Sequence, residues 1–151
     1  MNKEAMLAVA DAIEYFDRFD LADVAQTNDD KWEPMEVAVP QLWNNCGTTG
    51  CIAGWTLAWA DIRDVEGFHK HVEGWHKHEE TWKYKARKEL GLTIEEADRL
   101  FLCDEHSVWA ELADEYGWNV NYWGELANWS AVTAAQATEV IRRIVAGFVK
   151  L

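Results

Sequence analysis

Residues 46–61 read CGTTGCIAGWTLAWAD, a small polar turn that runs straight into an apolar stretch with no charge before Asp61. Gly47 and Gly50 permit backbone angles closed to other residues. Thr48 or Thr49 can start a helix by accepting a hydrogen bond from one of its unpaired backbone N–H groups. Gly50, Gly54 and Ala58 recur every four residues, so one face of that helix is nearly bare and a second backbone can approach it closely. Ile52, Trp55, Trp59 and Ile62 form the bulky stripe beside it. A helix apolar on almost every side belongs in an interior, and this one is far short of the roughly 20 residues that cross a bilayer. A chain holding such a helix must wrap other elements round it.

The wrapping elements read as helices. The only prolines, Pro34 and Pro40, both precede the central stretch, so nothing after residue 40 meets a helix breaker. Residues 3–19 place Met6, Val9, Ile13 and Phe16 at helical spacing. Residues 20–45 are irregular, with a turn at Asn28-Asp29-Asp30 and a short strand at Val37-Ala38-Val39. Phe68, Val72, Trp75, Trp82, Ala86 and Leu90 form a further stripe, closed by Gly91 as a left-handed cap. Thr93 with Glu96, and Thr133 with Gln136, are capping boxes that open two more helices. Between them a short helix over residues 107–116 stops at Gly117, and residues 122–128 are expected to form another. The last helix runs to about Val149, with Val140, Ile141, Ile144 and Phe148 inward. The expectation is an all-α fold. Residues 1–151 make a single compact domain of five to seven helices, with the Gly/Thr turn leading into a buried central helix.

Charge narrows the partners. The net charge is −13, and it is uneven: residues 94–116 carry Arg99 against eight acids, whereas residues 67–90 carry six bases against four acids. An acidic surface repels phosphate backbones, so direct duplex binding is not expected. Hydrophobic content of 49% argues against disorder. Cys46, Cys51 and Cys103 make an odd count. No basic stretch followed by an apolar run opens the chain, so the thiols are expected to be reduced, in cytoplasm.

The string CGTTGCIAGW, with the later Ala86–Leu92 segment ARKELGL, Leu100-Phe101 and the looser Thr133–Ala137, resembles a pattern in small proteins of bacteria and bacteriophages, especially phages of actinobacteria. The pattern there is approximately CGT-x-x-C-I-A-G-W-A, followed by A-x-x-x-L-G-L. The likeness covers about half the chain and departs in the long His- and Trp-rich insert. It brings no activity with it. It implies a phage accessory protein that binds a host factor in the host-cell cytoplasm.

Several side-chain groups are candidates for chemistry. His69, His71, His76 and His78, with Cys46 and Cys51, are zinc-type ligands. On one helix, however, residues two apart point about 200° from each other and residues seven apart lie roughly 10 Å apart. No metal or cofactor is therefore expected. Cys46 or Cys51 could serve as a nucleophile at the helix start, but packing the tight turn accounts for both. The Gly47–Gly50 loop, with Thr48 and Thr49, could cradle a small anionic ligand, though it lacks the Lys-Ser/Thr ending of a phosphate loop. The segment 118–129 is dense in aromatics, and Trp118, Tyr122 and Trp123 follow closely on Asp114 and Glu115. Aromatic anchors beside a carboxylate rim suit a protein partner with a basic surface. Ten tryptophans in 151 residues cannot easily all be buried. The residues thus favour a non-enzymatic interaction protein. A nucleotide- or anion-binding protein and a Cys/His metal-dependent enzyme stand as alternatives.

Overall fold

The computed structural model describes residues 1–17, 19, 51–63, 80–102 and 104–151. Among them lie seven α-helices: α1 (Lys3–Phe16), α2 (Ile52–Arg63), α3 (Glu80–Glu89), α4 (Ile94–Phe101), α5 (Val108–Glu111), α6 (Ala113–Tyr116) and α7 (Ala134–Ala146). A 3-10 turn, Trp129–Ala131, precedes α7. The fold is all-α, with an antiparallel β-bridge between Val120 and Leu126. The expected turn at 28–30 and strand at 37–39 lie outside the described residues, as do the Gly47–Gly50 loop and most of the stripe before Ala86.

α2 is the buried centre. Every residue from Ile52 to Ala58 is buried, Gly54 included. Its one polar side chain in that run, Thr56, is satisfied because its hydroxyl donates back to the Ile52 carbonyl at 2.7 Å. Trp55 stacks on Phe16 of α1, ring centres 5.4 Å apart. Cys51 lies just before the helix: its carbonyl accepts the first helical bond, from the Trp55 N–H at 3.0 Å.

α1 packs against both α2 and α7, and its contact with α7 is the most extensive among the described helices. Met6, Val9, Ala10 and Ile13 form its buried face, while Ala137, Thr138, Val140 and Ile141 supply the facing surface of α7. The alanines let the helices approach closely enough for the buried Thr138 hydroxyl to donate to the Ala10 carbonyl at 3.4 Å. Arg142 clamps the outer edge, reaching Glu14 at 2.7 Å and Asp11 at 2.9 Å. These two hydrogen bonds raise the Arg142 guanidinium pKa above its usual value.

Local signals set the helix ends. Both capping boxes form. The Glu96 N–H donates to Thr93 Oγ1 at 3.2 Å while the Thr93 N–H donates to the Glu96 carboxylate at 2.8 Å. Thr133 and Gln136 make the same reciprocal pair. α1 is shorter than its apolar spacing suggests, because Asp17 turns left-handed (φ 49°) and caps it, a conformation that aspartate tolerates. α7 likewise stops at Ala146, since Gly147 takes φ 82°. That turn corrects one sequence expectation: Phe148 points outward at 81% exposure, and Val149 packs inward instead. The expected single helix over 107–116 is two short ones, broken at Leu112 (φ −92°, ψ 0°).

One junction ties the start of α1 to the end of α3. Asn2 caps α1 through its side chain, which accepts from the Ala5 N–H at 3.2 Å. Its own backbone N–H donates to the Leu90 carbonyl at the end of α3, at 2.6 Å. Gly91 closes α3 there with φ 59°, and a Cβ at that position would lie 3.1 Å from the Asn2 nitrogen.

Candidate partner-binding surface

The segment after Gly117 divides its aromatics between two environments. Trp118 turns inward. It is 7% exposed, stacks on Tyr116 at 4.6 Å between ring centres, and donates its indole N–H to the Gln136 side-chain carbonyl at 3.2 Å. Gln136 is the same residue that closes the α7 capping box, so one amide joins the helix start to the core tryptophan. Trp118 was expected among the exposed anchors. The structure corrects that placement: Trp118 shares the interior with Trp109, whose indole donates to the Leu100 carbonyl at 2.8 Å.

Residues 119–127 then form a hairpin-like turn where a helix was expected. Leu126 is buried and anchors the returning arm. The Ala127 N–H donates to the Asn119 carbonyl, and the Asn121 N–H to the Glu125 carbonyl, both at 2.8 Å. Asn121 explains why no helix forms. Its side-chain oxygen accepts from the backbone N–H of Trp123 at 2.8 Å and of Glu125 at 3.1 Å, the donors a helix would need. Its amide NH2 donates to the Glu125 carboxylate at 2.8 Å. Gly124 completes the reversal at φ 81°.

At the tip, Tyr122 is 94% exposed and Trp123 70% exposed. Their rings meet edge to face, centres 5.3 Å apart, a favoured aromatic geometry. Five hydrogen bonds that involve Asn121 therefore hold two large apolar rings out in water. Carboxylates stand beside them. Glu125 belongs to the turn itself, and Glu105 packs close enough that a Cβ on Gly124 would lie 3.3 Å from its own.

The acidic residues named from sequence fare differently. Asp114 is exposed on α6. Glu115 is held by a two-pronged pair with Arg143 of α7, at 2.6 and 3.1 Å. That hydrogen bonding keeps the Glu115 carboxyl below its ordinary range and drives the Arg143 guanidinium pKa upward. Arg143 also donates to the Tyr116 hydroxyl at 3.2 Å. Glu115 thus fastens α6 to α7. The tip's acidic neighbours are Glu105 and Glu125, which sequence reasoning passed over. The usable signal was the asparagine three residues before Gly124, a turn signature hidden among the aromatics.

Thr48, Thr49, Cys46, Cys103 and the four histidines from His69 to His78 lie outside the described residues. Among the described residues no three His, Cys, Asp or Glu side chains are grouped to hold a metal ion. Cys51 is buried. No described helix is long and apolar enough to cross a membrane. No protein-family model matches the chain, and neither does any curated protein or solved structure.

Proposed function

We infer that this chain is a non-enzymatic interaction protein whose contact element is the Tyr122–Trp123 tip. One observation carries the reading: two aromatic rings project into solvent from a turn already ordered by the Asn121 hydrogen bonds. Exposing that much apolar surface works against solubility, and holding it rigid removes the entropy cost of ordering it on binding. Both features favour a partner. Trp and Tyr dominate interface hot spots because they bury large area with few rotatable bonds. The net charge of −13 and the neighbouring Glu105 and Glu125 favour a partner with a cationic rim. The resemblance of the 46–55 string to actinobacterial phage proteins supports an accessory protein that acts on a host factor in the cytoplasm.

Affinity capture from host lysate, followed by calorimetry with the purified captured protein, tests the reading. Trp123→Ala should weaken binding by about 30-fold, the effect of a hot spot worth about 2 kcal/mol. Equal affinity for wild type and a Tyr122→Ala/Trp123→Ala double variant would remove the tip from the interface.

A further inference from the structure

α3 carries a second feature on the described surface. Tyr84 stands half exposed, and Arg87 and Lys88, three and four residues on, reach over its ring to 5.1 and 5.0 Å from the centre. Ile94, the first residue of α4, is exposed beside it. Lys83, Tyr84, Arg87, Ile94 and Asp98 line a groove of about 420 Å³. That volume lies at the lower end of small-ligand pockets, about 300–1,000 Å³. Lys83 is paired with Asp98. Arg87 supplies the remaining positive charge of the groove lining, one guanidinium N–H donating to the Leu92 carbonyl at 3.4 Å, and Lys88 adds a second cation over the Tyr84 ring beside the groove. An apolar floor under two cations suits a flat ring carried next to a carboxylate.

The chain presents such a group itself. Tyr122 and Trp123 project from a turn flanked by Glu105 and Glu125. We propose that the 121–125 tip of one copy docks, head to tail, into the α3 groove of a second copy. Charge complementarity and ring-on-ring contact select this occupant. Tyr84 offers the exposed part of its ring, the cations over it face the tip's carboxylates, and Ile94 extends the apolar wall. The buried area sets the strength. Two aromatic side chains bury about 150–250 Å² each, against about 1,600 Å² in a stable interface, and −13 on each copy opposes contact. The association is therefore weak, roughly in the range from 100 μM to 1 mM, and reversible. Because tip and groove are different surfaces, the contact is heterologous and leaves one of each unused at its ends. It also regulates the tip: a docked tip is withheld from any other protein until that protein outcompetes the groove. Only this last consequence rests on the function proposed above.

Sedimentation velocity on the purified full chain, from micromolar to millimolar, tests the contact. Wild type should show a weight-average sedimentation coefficient that rises with concentration. Trp123→Ala and Arg87→Glu should each shift that rise at least tenfold higher, with circular dichroism spectra unchanged. Lys3→Glu, which alters net charge as Arg87→Glu does, should assemble like wild type. The decisive sample mixes the Trp123→Ala and Arg87→Glu proteins. The intact tip of the second then meets the intact groove of the first, so dimers return and nothing larger forms. A wild type that stays monomeric to 1 mM, assembly unaffected by either variant, equal loss in Lys3→Glu, or a mixture that stays monomeric would each overturn the proposal. The measurement needs no host protein, so its failure leaves the host-factor reading standing. Failure of host binding likewise leaves this contact intact.

Discussion

Truncating Trp118 should unfold the protein far more readily than truncating Trp123, although the two lie five residues apart in one aromatic run. A tryptophan side chain buries up to about 250 Å², and at about 25 cal/mol per Å² its full burial is worth about 6 kcal/mol. Trp118 is 93% removed from water, stacked on Tyr116 and hydrogen-bonded to Gln136. Alanine keeps the Cβ, Tyr116 can settle part-way into the gap, and Gln136 retains Thr133 as a partner. The net cost for Trp118→Ala comes to about 3–5 kcal/mol. For a chain of this size that is a fall in Tm of roughly 6–20 °C. Trp123 is 70% exposed, so Trp123→Ala should stay within about 0.5 kcal/mol of wild type. Thermal and urea melts followed by circular dichroism measure both. A Trp118→Ala protein melting within 2 °C of wild type, or a Trp123→Ala protein falling as far, would refute the division of this segment into core and tip.

Three further outcomes follow from named contacts. Gly91→Ala puts a Cβ 3.1 Å from the Asn2 nitrogen at φ 59°, and should cost about 1–2 kcal/mol in a urea melt; a neutral result would mean that the junction yields freely. Asn121→Ala removes three side-chain hydrogen bonds at an exposed turn, so global stability should fall by no more than about 1.5 kcal/mol. Amide exchange at Trp123 and Glu125 should accelerate selectively in that variant, and unchanged exchange there would deny Asn121 its ordering role. Glu115 has its pKa lowered by Arg143 from an ordinary value of 4.5, so its stabilisation is present above that pH and disappears as pH falls through the lowered value. The difference in Tm between wild type and Glu115→Gln should accordingly hold steady from pH 7 to pH 5 and shrink below pH 4. A gap that widens on acidification would reverse the assignment.

The all-α class was legible because its signals are short-range. Thr93 and Glu96 are three residues apart, as are Thr133 and Gln136, and each pair needs only its own turn to form. The burial of α2 was legible from its lack of polar side chains. What misled was competition between periodicity and backbone chemistry. Phe148 fits the apolar spacing of α7, yet Gly147 ends the helix one residue earlier and turns it outward. Trp118, Tyr122 and Trp123 look alike in composition; the Asn121 turn lifts the last two into solvent, and Gln136, brought in from α7, holds the first inside. Glu115 reads as a solvated rim charge until Arg143, 28 residues away, is brought beside it. Partners set by long-range folding leave no mark in local spacing.

The pairing of α1 with α7 has a consequence for how the chain is made. Ala10 and Thr138, joined by a buried hydrogen bond, are 128 residues apart. At about 5–20 residues per second, a ribosome that has released Ala10 needs roughly 6–26 s more to deliver Thr138. Through that interval Met6, Val9 and Ile13 have no α7 to cover them. The α1–α7 pairing can close only once Thr138 has been made, and so long a separation slows closure relative to the pairing of neighbouring helices. In the cell the nascent chain should therefore depend on chaperone cover more than its size suggests, and ribosome-stalled fragments ending before Ala134 should be degraded by protease at α1 while the full chain resists.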